Sequence, residues 1–272
     1  MEELTRGIWV IAYRDLLRFT QERARLISSF AMPLLFLIIF GAGFNRVIGT
    51  LAPGVDFIQF IYPGIIAMTI LITSLMSGLS IVWDREFGFL KEVLVAPLSR
   101  IGIVLGKAAG TAIIALGQGL IMLVLAPIIG VKLDVMLVLK LVPLIIITSL
   151  VLSSLGILIA SRMRSQQGFQ MLVRIIIMPL VFLSGIFFPI NNVPVWLEAI
   201  SKINPLTYGV DAIRQVFLGI NLAPASGDVT VNQPIGVTVL GHNMSVLEDA
   251  SVVTVLGIIL LSLAVWSFNK QE

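Results

Sequence analysis

Apolar and polar positions do not alternate evenly along this chain; they segregate into long apolar runs joined by short charged connections. The runs are 26–44, 57–82, 103–129, 135–160, 171–188 and 250–268. Each is close to or above the roughly 20 residues a helix needs to cross hydrocarbon, which predicts six transmembrane helices. Pro33, Pro63, Pro143 and Pro179 fall inside them, which membrane helices tolerate because neighbouring groups re-satisfy the backbone. Ahead of the first run, residues 1–25 have a helical rhythm. Ile8, Ala12, Leu16 and Phe19 line one face, and Arg14, Arg18, Glu22 and Arg25 line another. That pattern predicts an amphipathic helix lying along the membrane surface, or more plainly a solvated lead-in to the first span.

Between the fifth and sixth runs, 189–249 is the one long connection. Its first half remains apolar and is punctuated by Pro189, Pro194, Pro205 and Gly219, so short helices that dip into the membrane without crossing it are expected there. Its second half, from Asn221 to Asp249, is polar, and Val229–Val231 is placed to pair with Val237–Val239 as a small hairpin.

Composition agrees with this partition: 58% of the 272 residues are hydrophobic and only 12% are charged, against roughly 25% in soluble domains. Charge then sets orientation. Arg6, Arg14, Arg18, Arg23, Arg25, Arg85, Lys91, Arg100, Lys107, Arg162, Arg164, Arg174 and Lys270 would all lie on one side of such a membrane. By the preference of basic residues for the cytoplasmic face, both termini are expected in the cytoplasm of a multi-pass protein of the cell membrane. The first span is expected to stay as an anchor, because a mostly polar segment precedes it and no small-residue cleavage site is evident. The basic patches flank apolar runs, which fits lipid headgroups as partners and not nucleic acid.

Few residues offer chemistry. There is no cysteine and one histidine, His242, so neither a thiolate nor a His/Cys metal site is expected. All 15 acidic residues fall outside the six runs, which leaves no obvious place for the buried carboxylates of ion-coupled carriers. Ser184 lies in an apolar run without a base to activate it. The segment Gly102-Ile-Val-Leu-Gly106-Lys107-Ala108 has three residues between its glycines and no Ser or Thr after the lysine, so it does not make a phosphate loop. Energy from ATP has to enter through another chain, and no cofactor is expected on this one.

What remains is the cytoplasmic connection 83–102. Phe87, Leu90 and Leu94 share a helical face, Asp84 is placed to cap the start and Pro97 to mark the stop. An apolar stripe among mixed charges suits docking into a partner's groove, or else rests on the headgroups.

The stretch Arg85-Glu-Phe-Gly-Phe-Leu-Lys-Glu-Val-Leu94, continuing through Ala96-Pro-Leu-Ser-Arg100, resembles the connection between spans two and three in permeases of the ABC-2 family. A second match runs through Phe182-Leu-Ser-Gly-Ile-Phe-Phe-Pro189, Val193-Pro-Val-Trp-Leu197, Asn204-Pro-Leu-Thr-Tyr208, Asp211-Ala-Ile-Arg214 and Leu218-Gly219. It is similar to that family's fifth span and external re-entrant helices, and the likeness covers nearly the whole chain. The resemblance implies an all-α membrane fold of six spans, with an N-terminal amphipathic interface helix and external re-entrant helices before the last span. It further implies one transmembrane subunit of an ATP-binding-cassette exporter, similar to daunorubicin-type drug permeases. Two permease chains would pair, as homodimer or heterodimer, and each would engage a separate ATPase subunit that carries the ATP and magnesium. Asp84, Arg85, Glu86, Phe87, Leu90, Lys91 and Leu94 would couple to the ATPase, and Pro189, Pro194, Trp196, Asn204, Pro205 and Tyr208 would form the external gate. Cargo would be a lipophilic drug or a lipid-linked molecule. A membrane scaffold that recruits a cytosolic protein and transports nothing would use the same docking segment. The polar stretch Asn221–Asp249 is longer than the link such permeases are expected to carry.

Overall fold

The structure, a computed structural model, describes residues 2–48, 50–52, 55–87, 99–129, 133–188, 190, 193–219, 236–239 and 242–270. Helix α1 (Glu2–Gln21) leads through a one-residue break into α2 (Arg23–Ile48), and two short strands, β1 (Thr50–Ala52) and β2 (Val55–Asp56), pair antiparallel before α3 (Phe57–Met76). Helix α4 (Leu79–Glu86) continues α3 after a break at Ser77–Gly78, and α5 (Arg100–Leu125) follows, ending in a short 3-10 turn. Next come α6 (Val135–Arg162), α7 (Gln166–Phe182), α8 (Val195–Ile203) and α9 (Pro205–Leu218). Strands β3 (Thr238–Val239) and β4 (His242–Asn243) precede the last helix, α10 (Val246–Asn269).

Local chemistry sets many of these boundaries. Ser99 and Ser165 turn their hydroxyls back onto the N–H groups of Gly102 and Gly168, and Ser245 forms a reciprocal capping box with Glu248. Asn204 caps α9, Pro205 occupies its first turn and Gly219 closes it at φ +65°.

Helix α3 is the centre of the bundle. The runs Phe60–Tyr62 and Ile65–Ala67 are buried on every face, as expected of a helix that is apolar all round. Among the described residues four helices are long and apolar enough to cross a membrane: Ile58–Glu86, Ile101–Ile128, Val135–Arg162 and Val246–Phe268. Helix α10 covers α6 with one side only and exposes Val255, Ile258, Ile259, Leu263 and Trp266 on the other, an apolar surface that suits lipid. Two shorter apolar helices are Leu26–Ile39 and Gln166–Phe182. The fifth run was expected to continue to Phe188, but helix α7 stops at Phe182 and the chain turns at Gly185, φ +77°.

Close helix contacts depend on missing side chains. Gly102, Gly106 and Gly110 recur every fourth residue of α5, and α1 lies along that bare strip. A Cβ on Gly106 would sit 2.8 Å from Cβ of Ile11, and one on Gly110 would sit 3.0 Å from Cα of Ala12. The predicted apolar stripe of α1 therefore faces α5, with Ala12 and Phe19 buried, while the apolar residues Trp9, Val10, Tyr13 and Leu17 are left exposed. Small residues let backbones meet where lipid supplies no hydrophobic drive for association. Gly78 and Gly156 do the same between the α3–α4 break and α6, where a Cβ on Gly78 would run into the Gly156 carbonyl oxygen.

The hairpin expected from Val229–Val231 and Val237–Val239 is described at its second strand alone. Thr238 and Val239 pair with Asn243 and His242, and 229–231 lie outside the described residues.

Replacing Gly106 by Leu is expected to lift α1 off α5 and cost roughly 1–3 kcal/mol of overpacking. At about 2–4 °C per kcal/mol the Tm of the purified protein falls by about 2–12 °C. Ile113→Leu, at an exposed position of the same helix, leaves the Tm unchanged.

Candidate functional site

Three consecutive side chains at the end of α4 reach three different helices, because successive residues on a helix point about 100° apart. Asp84 Oδ2 accepts a hydrogen bond from Arg14 Nη2 of α1 at 3.0 Å. Arg85 Nη1 donates to the carbonyls of Ser161 and Met163, at 3.2 and 2.7 Å, where α6 ends. Glu86 Oε2 accepts from the Gln166 N–H at 3.0 Å, where α7 begins. A cation at a helix C-terminus and an anion at a helix N-terminus also complement the two macrodipoles. Asp84 was expected to cap a separate docking helix; instead it lies inside α4, which runs on through Glu86.

The same end carries a buried charge. Lys107 on α5 is 1% exposed; its Nζ donates to Ser80 Oγ at 2.6 Å and lies 3.5 Å from Asp15 of α1. Burying an ammonium in such a place requires partners, and α1 and α4 supply them. The glycine strip that lets α1 approach thus also delivers Asp15 to Lys107. Above this knot, a cavity of about 540 Å³ opens between α1, α2, α3–α4 and α7, bordered by Arg18, Ser29, Thr73, Ser80, Trp83 and Gln170 among others. Arg18 stacks over the Trp83 ring at 4.5 Å and pairs with Glu22 at 3.0 Å. Phe87, exposed, meets Trp83 edge-on.

At the opposite end of the bundle a second polar cluster is buried. Arg214 of α9 stacks on Phe60 at 4.0 Å and donates from Nη2 to the carbonyls of Gly185, at 2.7 Å, and Ile186, at 3.4 Å. It satisfies the irregular backbone that follows α7, a requirement wherever a chain turns away from water. Asn204 Nδ2 donates to the Leu180 carbonyl at 2.8 Å, and Tyr208 OH donates to the Lys202 carbonyl at 2.7 Å. Gln215 Nε2 bridges Asp211 and Asp249, at 3.0 and 3.1 Å, and Asp211 also accepts from the Val237 N–H at 2.8 Å. Among the described residues no three His, Cys, Asp or Glu side chains converge as metal ligands.

A family model for the ABC-2 type transporter matches residues 6–218, that is, from α1 to the last residue of α9. The chain belongs to the ABC-2 type transporter family. It is 32% identical to ycf38 of Cyanophora paradoxa, named as a transport permease, over 77% of this chain and 73% of that protein. It is 34% identical to YbhR of Escherichia coli K12, named as a multidrug ABC transporter permease, over 61% and 45%. Identity to nodulation protein J of Rhizobium meliloti is 30% over 72% and 75%. The protein is thus a membrane-embedded permease subunit of an ABC transporter.

Of the residues that sequence reading assigned to ATPase coupling in this ABC-2 permease, Asp84, Arg85, Glu86 and Phe87 gather at the end of α4. Leu90, Lys91 and Leu94 lie outside the described residues. Of the residues assigned to the external gate, Pro194, Asn204, Pro205 and Tyr208 form the starts and ties of α8 and α9, Trp196 is exposed, and Pro189 lies outside the described residues. The absence of acids from the apolar runs did not keep carboxylates out of the bundle. Asp211 and Asp249 are 2% and 0% exposed, because α9 is buried along its length and α10 begins four residues before the sixth run. The tie from α1 to Lys107 was missed as well; its signal was a lysine five residues into an apolar run, flanked by glycines at four-residue spacing.

Arg214→Met leaves the Gly185 and Ile186 carbonyls without their donor, at a cost of roughly 1–3 kcal/mol each. The expected outcome is a clear drop in Tm, while Arg174→Met, at an exposed position of α7, changes it little.

Proposed function

We propose that this protein is the transmembrane half of an ATP-driven exporter that moves a lipophilic, drug-like or lipid-linked cargo out across the cell membrane. The observation that carries this reading is the three-way tie at the end of α4. Asp84, Arg85 and Glu86 hold α1, α6 and α7 together, so a push on α1 or on the segment after α4 moves helices bordering the large cavity. In this reading α2 and α7 are spans like the four longer helices, which makes six. Both termini and the 83–102 connection face the cytoplasm, where a separate ATPase subunit with its ATP and magnesium docks. A second permease chain completes the pathway, and α8 and α9 act as external re-entrant helices that close it. Binding and hydrolysis of ATP then rock packed helices between inward- and outward-open states. The permease names of the relatives, one of them a multidrug permease, support transport and a drug-like cargo.

Reconstitution with the cognate ATPase tests the assignment. Cargo-stimulated ATP hydrolysis is expected, and Glu86→Lys combined with Leu90→Ala should leave membrane insertion intact while reducing stimulation to the basal rate. Full stimulation in that variant would remove the coupling role from this segment. Binding of the ATPase without stimulated turnover would identify a scaffold instead.

A further inference from the structure

The lining of the large cavity narrows the kind of cargo, given the export reading. Its volume of about 540 Å³ is that of a drug-sized site. Among the described residues, the two charged ones that border it are Arg18 and Glu22, and they pair with each other at 3.0 Å, with Arg18 also lying over Trp83. An ionic ligand would therefore have to displace an existing partner.

A smaller cavity of about 30 Å³ borders Arg18, Phe19, Thr73 and Ser80 as well and so lies beside the first; Asp15, Ser77 and Thr111 also line it. Asp15 is already held by Lys107 at 3.5 Å. Ser77 is not held: its residue is 8% exposed and its Oγ has no hydrogen-bond partner among the described residues. Thr73 donates to Gln118 Oε1 at 2.6 Å, and the Gln118 Nε2 is likewise buried and unpartnered. Buried polar atoms are nearly always satisfied, so the open Ser77 hydroxyl on the wall of a small polar cavity points to a group that arrives from outside. The cavity has room for about one water or one hydroxyl-bearing carbon. On the other side of Thr73, Ile72, Met76 and Leu79 present an apolar wall to the large cavity, and methionine there adapts to irregular shapes.

We infer that this pair of cavities binds an uncharged amphiphile: its hydroxylated head group lies in the large cavity against Thr73 and Ser80 and sends one hydroxyl into the small cavity toward Ser77, and its aliphatic portion runs along Ile72, Met76 and Leu79. Neutrality follows from the paired charges, the head group from the open Ser77 hydroxyl, and the tail from the apolar wall.

Trp83 reports on the site directly. Changing Trp9, Trp196 and Trp266 to Phe leaves Trp83 as the sole tryptophan of the four in the chain. With this protein in nanodiscs, three probes sharing one tail are titrated below their micellar concentrations: octyl glucoside, octyl sulfate and octyltrimethylammonium. The glucoside is expected to shift Trp83 emission saturably, and the two charged probes to bind about tenfold more weakly or not at all. Ser77→Ala, a mild change, should weaken the glucoside about three- to tenfold, in line with the loss of a single hydrogen bond. Equal binding of all three probes, a preference for a charged one, unsaturable partitioning, or an unchanged response in Ser77→Ala would each overturn the inference. The titration needs no ATPase. Normal cargo-stimulated turnover with a failed titration would therefore sink this inference alone, and the reverse pair of results would sink the export reading alone.

Discussion

A buried ammonium organises one end of this molecule. Lys107 lies within an apolar helix at 1% exposure, where an unpartnered charge costs several kcal/mol. Its partners must come from other helices. Asp15 reaches it because α1 lies against the glycines of α5, and Ser80 reaches it because α4 continues α3 beyond the Gly78 break. Once α1 and α4 are held there, Asp84 meets Arg14, and the two residues after it are aimed at the ends of α6 and α7. The cavity lies directly beside this arrangement, bordered by Ser80 and Arg18 from the same elements.

The opposite end follows the same rule with different groups. The chain leaves helical geometry after α7, and the carbonyls this frees are taken by Arg214, Asn204 and Thr207. Gln215 and Asp211 then tie α9 to the start of α10 and to Val237. Both ends are thus cross-linked by polar side chains, while the middle is held by apolar packing around α3 and by glycine contacts such as Gly78 with Gly156. Packing of that kind slides more readily than it stretches, which suits the helix rocking proposed for transport.

Much of the fold was legible from periodicity, because long apolar runs report helix length whatever surrounds them. The four long spans, the helical lead-in and the short helices at Val195 and Pro205 all appear where apolar spacing and the Pro and Gly signals put them. What sequence reading could not supply was which face of a helix meets another. The apolar stripe of α1 was assigned to the membrane surface, whereas Ala12 and Phe19 meet protein and Trp9 and Tyr13 are exposed. Hydrophobicity marks a buried face without naming what buries it. Asp211 and Asp249 read as loop residues for a related reason: α9 is too short to score as a span, yet it is enclosed by α3, α6 and α10. Gly102 and Gly106 were weighed only as a phosphate loop, and Gly110 lay outside that reading. Their four-residue spacing is instead the mark of a helix-docking strip.

The central claim is that the end of α4 binds α1, α6 and α7 into one unit that moves as a whole when the ATPase turns over. Because the chain has no cysteine, spin labels placed at Tyr13→Cys and Gln167→Cys, both exposed positions, report the α1–α7 distance without background. The account predicts one narrow distance distribution in nucleotide-free, ATP-bound and post-hydrolysis complexes, broadened when Arg85→Leu cuts the tie. A nucleotide-dependent shift of that distance in the otherwise unaltered protein would contradict it.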